Sequence, residues 1–169
     1  TREQAVYYFL LGYTAKLAGT EKDLGKEPEA TFSTGFGEPF LPLSPAVYAE
    51  FLLKRIDQYQ PKIWLINTGW SGGPYGVGHR IRLPHSRAMI RMALEKEISK
   101  DSFQIDPLFG LNIPNAIDGV PDEILNPVNP WQDKNDYQKT AKTLIHKMHQ
   151  RMMVFAGDLD AEIINSGPR

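Results

Sequence analysis

The chain has no cysteine. That excludes a disulfide framework, thiolate catalysis and every zinc site built on cysteine, and it agrees with a reducing compartment. Asn-x-Ser/Thr sequons are missing as well. Its apolar runs fall far short of the ~20 residues needed to cross a bilayer, and the first residues lack the basic and apolar blocks of a signal peptide. An excess of charge of either sign is also lacking: 19 basic side chains face 20 acidic ones, for a formal net charge of -1. Nothing general therefore draws the chain to a polyanion or an acidic lipid surface, and neither nucleic acid nor membrane is expected as a partner. The reading is a soluble, cytoplasmic protein.

What the sequence does contain is enough apolar material for a core: 41% of its 169 residues are hydrophobic, ordinary for a globular domain. No internal repeat, low-complexity tract or linker divides it. Helical periodicity starts almost at once, with Val6, Phe9, Leu10, Tyr13 and Leu17 on one face of a helix expected from about Glu3 to Ala18 and closed by Gly19. No capping segment precedes Thr1, so a trimmed start or a piece of a longer protein is expected. Residues 20–43 are rich in glycine and proline and read as a long loop. Ser44 and Pro45 open a second helix with a Tyr48, Phe51, Leu52, Ile56, Tyr59 stripe, ended by Pro61. Lys62–Asn67, KIWLIN, reads as a strand buried on both faces. A glycine-rich loop follows, then RIRL as a short strand. A third helix is expected from near Pro84, with Ser86 as a cap and Ile90, Ala93, Leu94 and Glu97 or Ile98 at helical spacing. FQI and FGLNI read as short strands among loops, and a long helix from about Asp136 to Phe155 carries Tyr137, Ala141, Leu144, Ile145, Met148, Met152 and Phe155 on its core face.

The segment from Gly73 to Arg80 has the two glycines of a phosphate-binding loop at the right spacing, but His79 and Arg80 stand where that motif needs Lys and Ser or Thr. It also runs into extended sequence, not a helix. A loop that admits a ligand close to the backbone, or one that only turns between strands, both remain open. Arg80 can stack on an aromatic ring or grip an anion; taken alone it reads as a solvated charge. His146 and His149 stand at i, i+3, the spacing of a metal pair, but no third ligand is evident, so they read as solvent-facing. No complete catalytic set can be assembled, and no metal-ligating residue is assigned.

Three blocks nonetheless carry a resemblance: YYFLLGYTAKLAGTE from Tyr7 to Glu21, TFSTGFGEPFLPL from Thr31 to Leu43, and INTGWSGGPYGVGHRIRLPHSRAMI from Ile66 to Ile90, followed by ILNPVNPW and SGPR. In this order and spacing the chain resembles ATP-dependent phosphoenolpyruvate carboxykinase, over about the last third of that family's length. The resemblance implies an α/β fold, residues 1–169 being part of the mobile, nucleotide-binding carboxy-terminal lobe. It also implies a cytosolic, gluconeogenic, monomeric enzyme that turns oxaloacetate and ATP into phosphoenolpyruvate, ADP and carbon dioxide. The family's phosphate loop, its Mn2+ and Mg2+ ligands and its oxaloacetate-binding arginine would lie upstream, so this segment would supply the adenosine end of the ATP site. The family's adenine-contacting Arg-Ile pair falls on Arg80 and Ile81, and its nearby Thr on Ser86, which keeps the hydroxyl and loses the methyl. His79 stands where Lys is common, and Gly35 where some members have Cys. A free-standing nucleotide-binding or interaction domain without catalysis is the alternative.

Overall fold

The structure, a computed structural model, describes residues 1–16, 29–95, 99 and 102–169. It combines helices with three two-stranded antiparallel sheets, in keeping with the α/β class. The chain divides into two compact units: residues 1–63 with 144–169, and residues 64–143.

In the first unit α1 (Arg2–Leu11) opens on a capping box, in which the Thr1 hydroxyl accepts from the Gln4 amide at 3.2 Å and the Thr1 ammonium donates to Gln4 Oε1 at 2.8 Å. Thr1 is thus itself the cap whose absence the sequence suggested. The helix also ends seven residues before Ala18. Gly12 adopts the left-handed conformation at φ 55°, and its amide closes on the Tyr8 carbonyl at 3.1 Å. A Cβ there would collide with the carbonyl oxygen of Ser33. Only glycine can make this turn, after which Tyr13 enters strand β1 (Tyr13–Lys16), paired with β2 (Glu29–Phe32). Leu17, Ala18 and Gly19 lie outside the described residues. Two 3₁₀ turns, Thr34–Phe36 and Glu38–Phe40, follow β2.

Helix α2 (Pro45–Tyr59) starts and stops where Ser44, Pro45 and Pro61 indicate, although the Ser44 side chain makes no capping bond and Gln60 supplies the left-handed cap. Its expected core stripe is not buried. Ala49 is buried, while Phe51 and Tyr59 are 52% and 62% exposed. The core of this unit instead gathers Val6, Tyr7, Leu10 and Leu11 of α1, none of them exposed, with Ile145, Met148, Met152 and Phe155 from the long helix and the turn after it, and with Ile163 of α6 (Ala161–Ile164). Each such side chain, when fully buried, stabilises by about 1.5–3 kcal/mol. Met148 and Met152 of the long helix are core, as their spacing suggests, whereas Met153 is exposed.

The second unit begins with a departure from expectation. Residues 62–67, read above as a buried strand, join no ladder among the described residues, and Ile63 and Leu65 are about half exposed. A β-rich run becomes a strand only when another strand bonds it, and among the described residues none does. The strands here are β3 (Trp70–Ser71), paired with β4 (His79–Arg80), and β5 (Phe103–Ile105), paired with β6 (Asn112–Pro114). β4 is shorter than RIRL, because Leu83 already opens α3 (Leu83–Glu95). Ser86 lies inside that helix and is no cap; its amide bonds the Arg82 carbonyl at 3.1 Å. Glu97 and Ile98 lie outside the described residues. Met92, Ile117 and Val120 form a buried cluster against which Trp64, Ala88, Met89, Ile124 and Leu125 pack, the last two from the one-turn helix α4 (Asp122–Leu125). Helix α5 (Lys134–Met153) gives residues 134–143 to this unit and 144–153 to the first.

Candidate functional site

The glycine-rich segment folds as a hairpin, so of the two alternatives left by the sequence it takes at least the turn between strands. It is prepared upstream by Asn67, whose side chain accepts from the Gly69 amide at 2.8 Å and donates to the Trp70 carbonyl at 3.1 Å. The Gly69 carbonyl in turn accepts from the Ile81 amide at 2.8 Å, which fastens the far end of the hairpin to its start. Between the strands, the amides of Val77 and Gly78 both point at the Pro74 carbonyl, at 3.1 and 2.8 Å. A Cβ on Gly78 would sit 2.6 Å from the Ser71 carbonyl oxygen, and one on Gly72 would sit 2.9 Å from that of Pro130. The glycines are needed for close backbone packing.

This hairpin places three side chains together. Trp70 and Arg80 are directly opposed in the antiparallel register, and opposed residues share a face. The Arg80 guanidinium carbon lies 5.6 Å from the centre of the Trp70 ring. Tyr75, from the loop, meets the indole edge-on, its ring 5.5 Å from that of Trp70 at 62°. Trp70 is half-buried, whereas Arg80 is exposed. A guanidinium is a flat cation with two faces, and stacking one of them on an indole leaves the other free for a second flat π system.

Of the residues suggested by the resemblance, Arg80 is therefore open to solvent. Ile81 and Ser86 are 9% and 6% exposed and offer little surface. Arg82, Arg87 and Arg91 are exposed. Trp70 and Tyr75 were not singled out from the sequence; the cross-strand pairing that brings Trp70 to Arg80 is invisible without the register. His146 and His149 are both exposed, as their place on the helix suggests. His149 also bonds through Nε2 to the Pro168 carbonyl at 2.8 Å, and His85 is tied through Nδ1 to that of Gly119 at 2.9 Å. Among the described residues, no three His, Asp or Glu side chains gather as a metal cluster. The resemblance assigns the divalent-ion ligands to residues outside this chain, and no step is derived through the ion.

What the hairpin and its exposed guanidinium define is a candidate contact for a flat, electron-rich ring. Comparison with known proteins gives this a family. The model of the phosphoenolpyruvate carboxykinase family matches residues 1–123, and the chain belongs to that family. It is 54% identical over all 169 residues to "Phosphoenolpyruvate carboxykinase (ATP)" of Caldanaerobacter subterraneus subsp. tengcongensis, covering 32% of that protein. It is 51% identical over 167 residues, 99% of this chain, to "Phosphoenolpyruvate carboxykinase (ATP) 1" of Moorella thermoacetica, covering 31%. A relative from Geobacillus kaustophilus, "Phosphoenolpyruvate carboxykinase (ATP)", is 51% identical over 156 residues, 92% of this chain and 29% of its own. The chain thus spans about a third of the length of the curated relatives it matches.

Proposed function

We propose that these 169 residues are the carboxy-terminal part of the nucleotide-binding lobe of an ATP-dependent phosphoenolpyruvate carboxykinase, and that they hold the adenosine end of ATP. The whole enzyme converts oxaloacetate and ATP into phosphoenolpyruvate, ADP and carbon dioxide, in the cytoplasm and in the gluconeogenic direction. Loss of carbon dioxide leaves an enolate whose oxygen takes the γ-phosphoryl group, chemistry that rests on positioning and charge neutralisation. Manganese or magnesium ligands and the phosphate loop are assigned to residues outside this chain.

The observation that carries the proposal is the exposed Arg80 guanidinium, whose carbon lies over the Trp70 ring at 5.6 Å from its centre. An adenine stacked there gains a cation–π contact with no need to order the arginine first. Ile81 and Ser86 contribute through the small area each leaves open: an aliphatic edge against the base and a hydroxyl within reach of its polar rim.

The test is Arg80→Ala in the full-length enzyme that carries this segment. The expected outcome is a KM for ATP raised roughly fivefold or more, the worth of a partly desolvated cation–π contact, with the KM for oxaloacetate and the kcat little changed. Unchanged ATP kinetics would remove Arg80 from the site.

A further inference from the structure

We infer that Trp70 is a positioning residue for the nucleotide: its indole fixes the plane of the Arg80 guanidinium, so that the base meets an arginine already oriented to stack. The inference rests on the proposed role of Arg80 and extends it to a residue that would touch ATP only through the arginine. Three observations carry it. The register sets Trp70 opposite Arg80 on neighbouring strands, so the pair does not depend on a chance side-chain excursion. The guanidinium carbon stands 5.6 Å from the indole centre, within the ~6 Å range of a cation–π contact. And the indole is itself held: Tyr75 packs on it edge-on, and the Asn67 amide bonds the carbonyl of Trp70.

An exposed arginine on a two-residue strand would otherwise sample many rotamers, and each binding event would have to freeze them. With the indole beneath it the arginine loses that freedom during folding. The consequence is a contribution to ATP affinity and none to the chemical step.

The experiment compares Trp70→Leu, Trp70→Phe, Arg80→Ala and the double variant Trp70→Leu/Arg80→Ala in the full-length enzyme, with steady-state kinetics for both substrates and far-UV circular dichroism as the check on folding. Trp70→Leu is expected to raise the KM for ATP about two- to fivefold, the range of an exposed cation–π contact, leaving kcat and the KM for oxaloacetate within about twofold. Trp70→Phe, which keeps a flat ring, recovers most of the loss. In the double variant the Trp70 change adds nothing to that of Arg80→Ala, because the indole then has nothing left to hold. If the two effects add, or if Trp70→Leu leaves the KM for ATP unchanged while Arg80→Ala raises it, the positioning role is overturned and the Arg80 site stands. If neither changes it, the site itself falls. Should Trp70→Leu not fold, the Trp70→Phe pair with and without Arg80→Ala gives the same coupling on a smaller scale, and additivity there overturns the inference equally.

Discussion

At the scale of single residues, the most telling group is one that takes no part in the site. Tyr7 is fully buried, and its hydroxyl has no hydrogen-bond partner. Burial pushes its pKa up from 10.0 to about 12, because the phenolate would have to sit in an apolar core. The unfolded chain releases this proton near pH 10 while the folded chain holds it until about pH 12. The stability tied to the neutral phenol is therefore complete below pH 10 and is lost as the pH climbs through that window, at about 1.4 kcal/mol per unit. Tyr137, also raised to about 12 by burial and by the neighbouring Asp106 charge, acts in the same direction. Tyr7→Phe is expected to be neutral or to stabilise at pH 7 by up to about 1 kcal/mol, since it deletes a buried unpaired donor. It should also make the alkaline loss shallower. Urea unfolding of both proteins at pH 7 and pH 11 checks this; a variant less stable by more than about 1 kcal/mol at pH 7 would mean that the hydroxyl is doing something the packing does not reveal.

At the scale of elements, helices α2, α3 and α5 could be read from the sequence because their signals are local: a Ser-Pro start, a proline stop, apolar spacing near 3.6. Helix α1 was overrun because Gly12 sits inside a pattern that continues in period through Tyr13, and only the approach of Ser33 shows why the chain must turn there. Residues 62–67 failed as a strand for the opposite reason: their composition is right, but strand formation is a property of two segments. For the site, Arg80 was reachable through the resemblance, whereas Trp70 needed the register. The hairpin between them gives a test of what its glycines do. Gly78→Ala would drive a methyl against the Ser71 carbonyl and backbone of Gly73, and should destabilise by roughly 1–3 kcal/mol as overpacking does. Gly76, at φ 85°, has nothing within 4 Å of an added Cβ, so Gly76→Ala should cost only the about 1–2 kcal/mol of the left-handed conformation. The discriminating measurement is near-ultraviolet circular dichroism of the tryptophans. Gly78→Ala should change it by disturbing the Trp70 and Arg80 face, and Gly76→Ala should not; equal spectra would mean that the hairpin tolerates the methyl.

At the scale of the whole molecule, the distribution of apolar surface becomes the issue. The helix α3 side chains Leu83, Ile90 and Leu94 are 60%, 45% and 80% exposed and recur along one helical face. On α2, Phe51 and Tyr59 do the same, and Phe40 is 86% exposed. Single exposed apolar residues are ordinary, but stripes on two helices are not, and contiguous apolar surface of this kind marks places that other protein covers. The chain spans about a third of its relatives, so the same stripes in a longer polypeptide have material available to cover them. Covering one leucine or phenylalanine is worth about 1.5–3 kcal/mol, enough for several together to drive association when nothing else does so. The 169-residue chain on its own is therefore expected to bind a hydrophobic dye and to sediment as a concentration-dependent mixture. Phe51→Lys with Leu94→Lys should lower the dye signal and shift sedimentation toward the single chain, while the circular dichroism of the folded protein is retained, since both side chains already face water. A monodisperse, dye-silent wild type would mean that these stripes are satisfied within the chain itself.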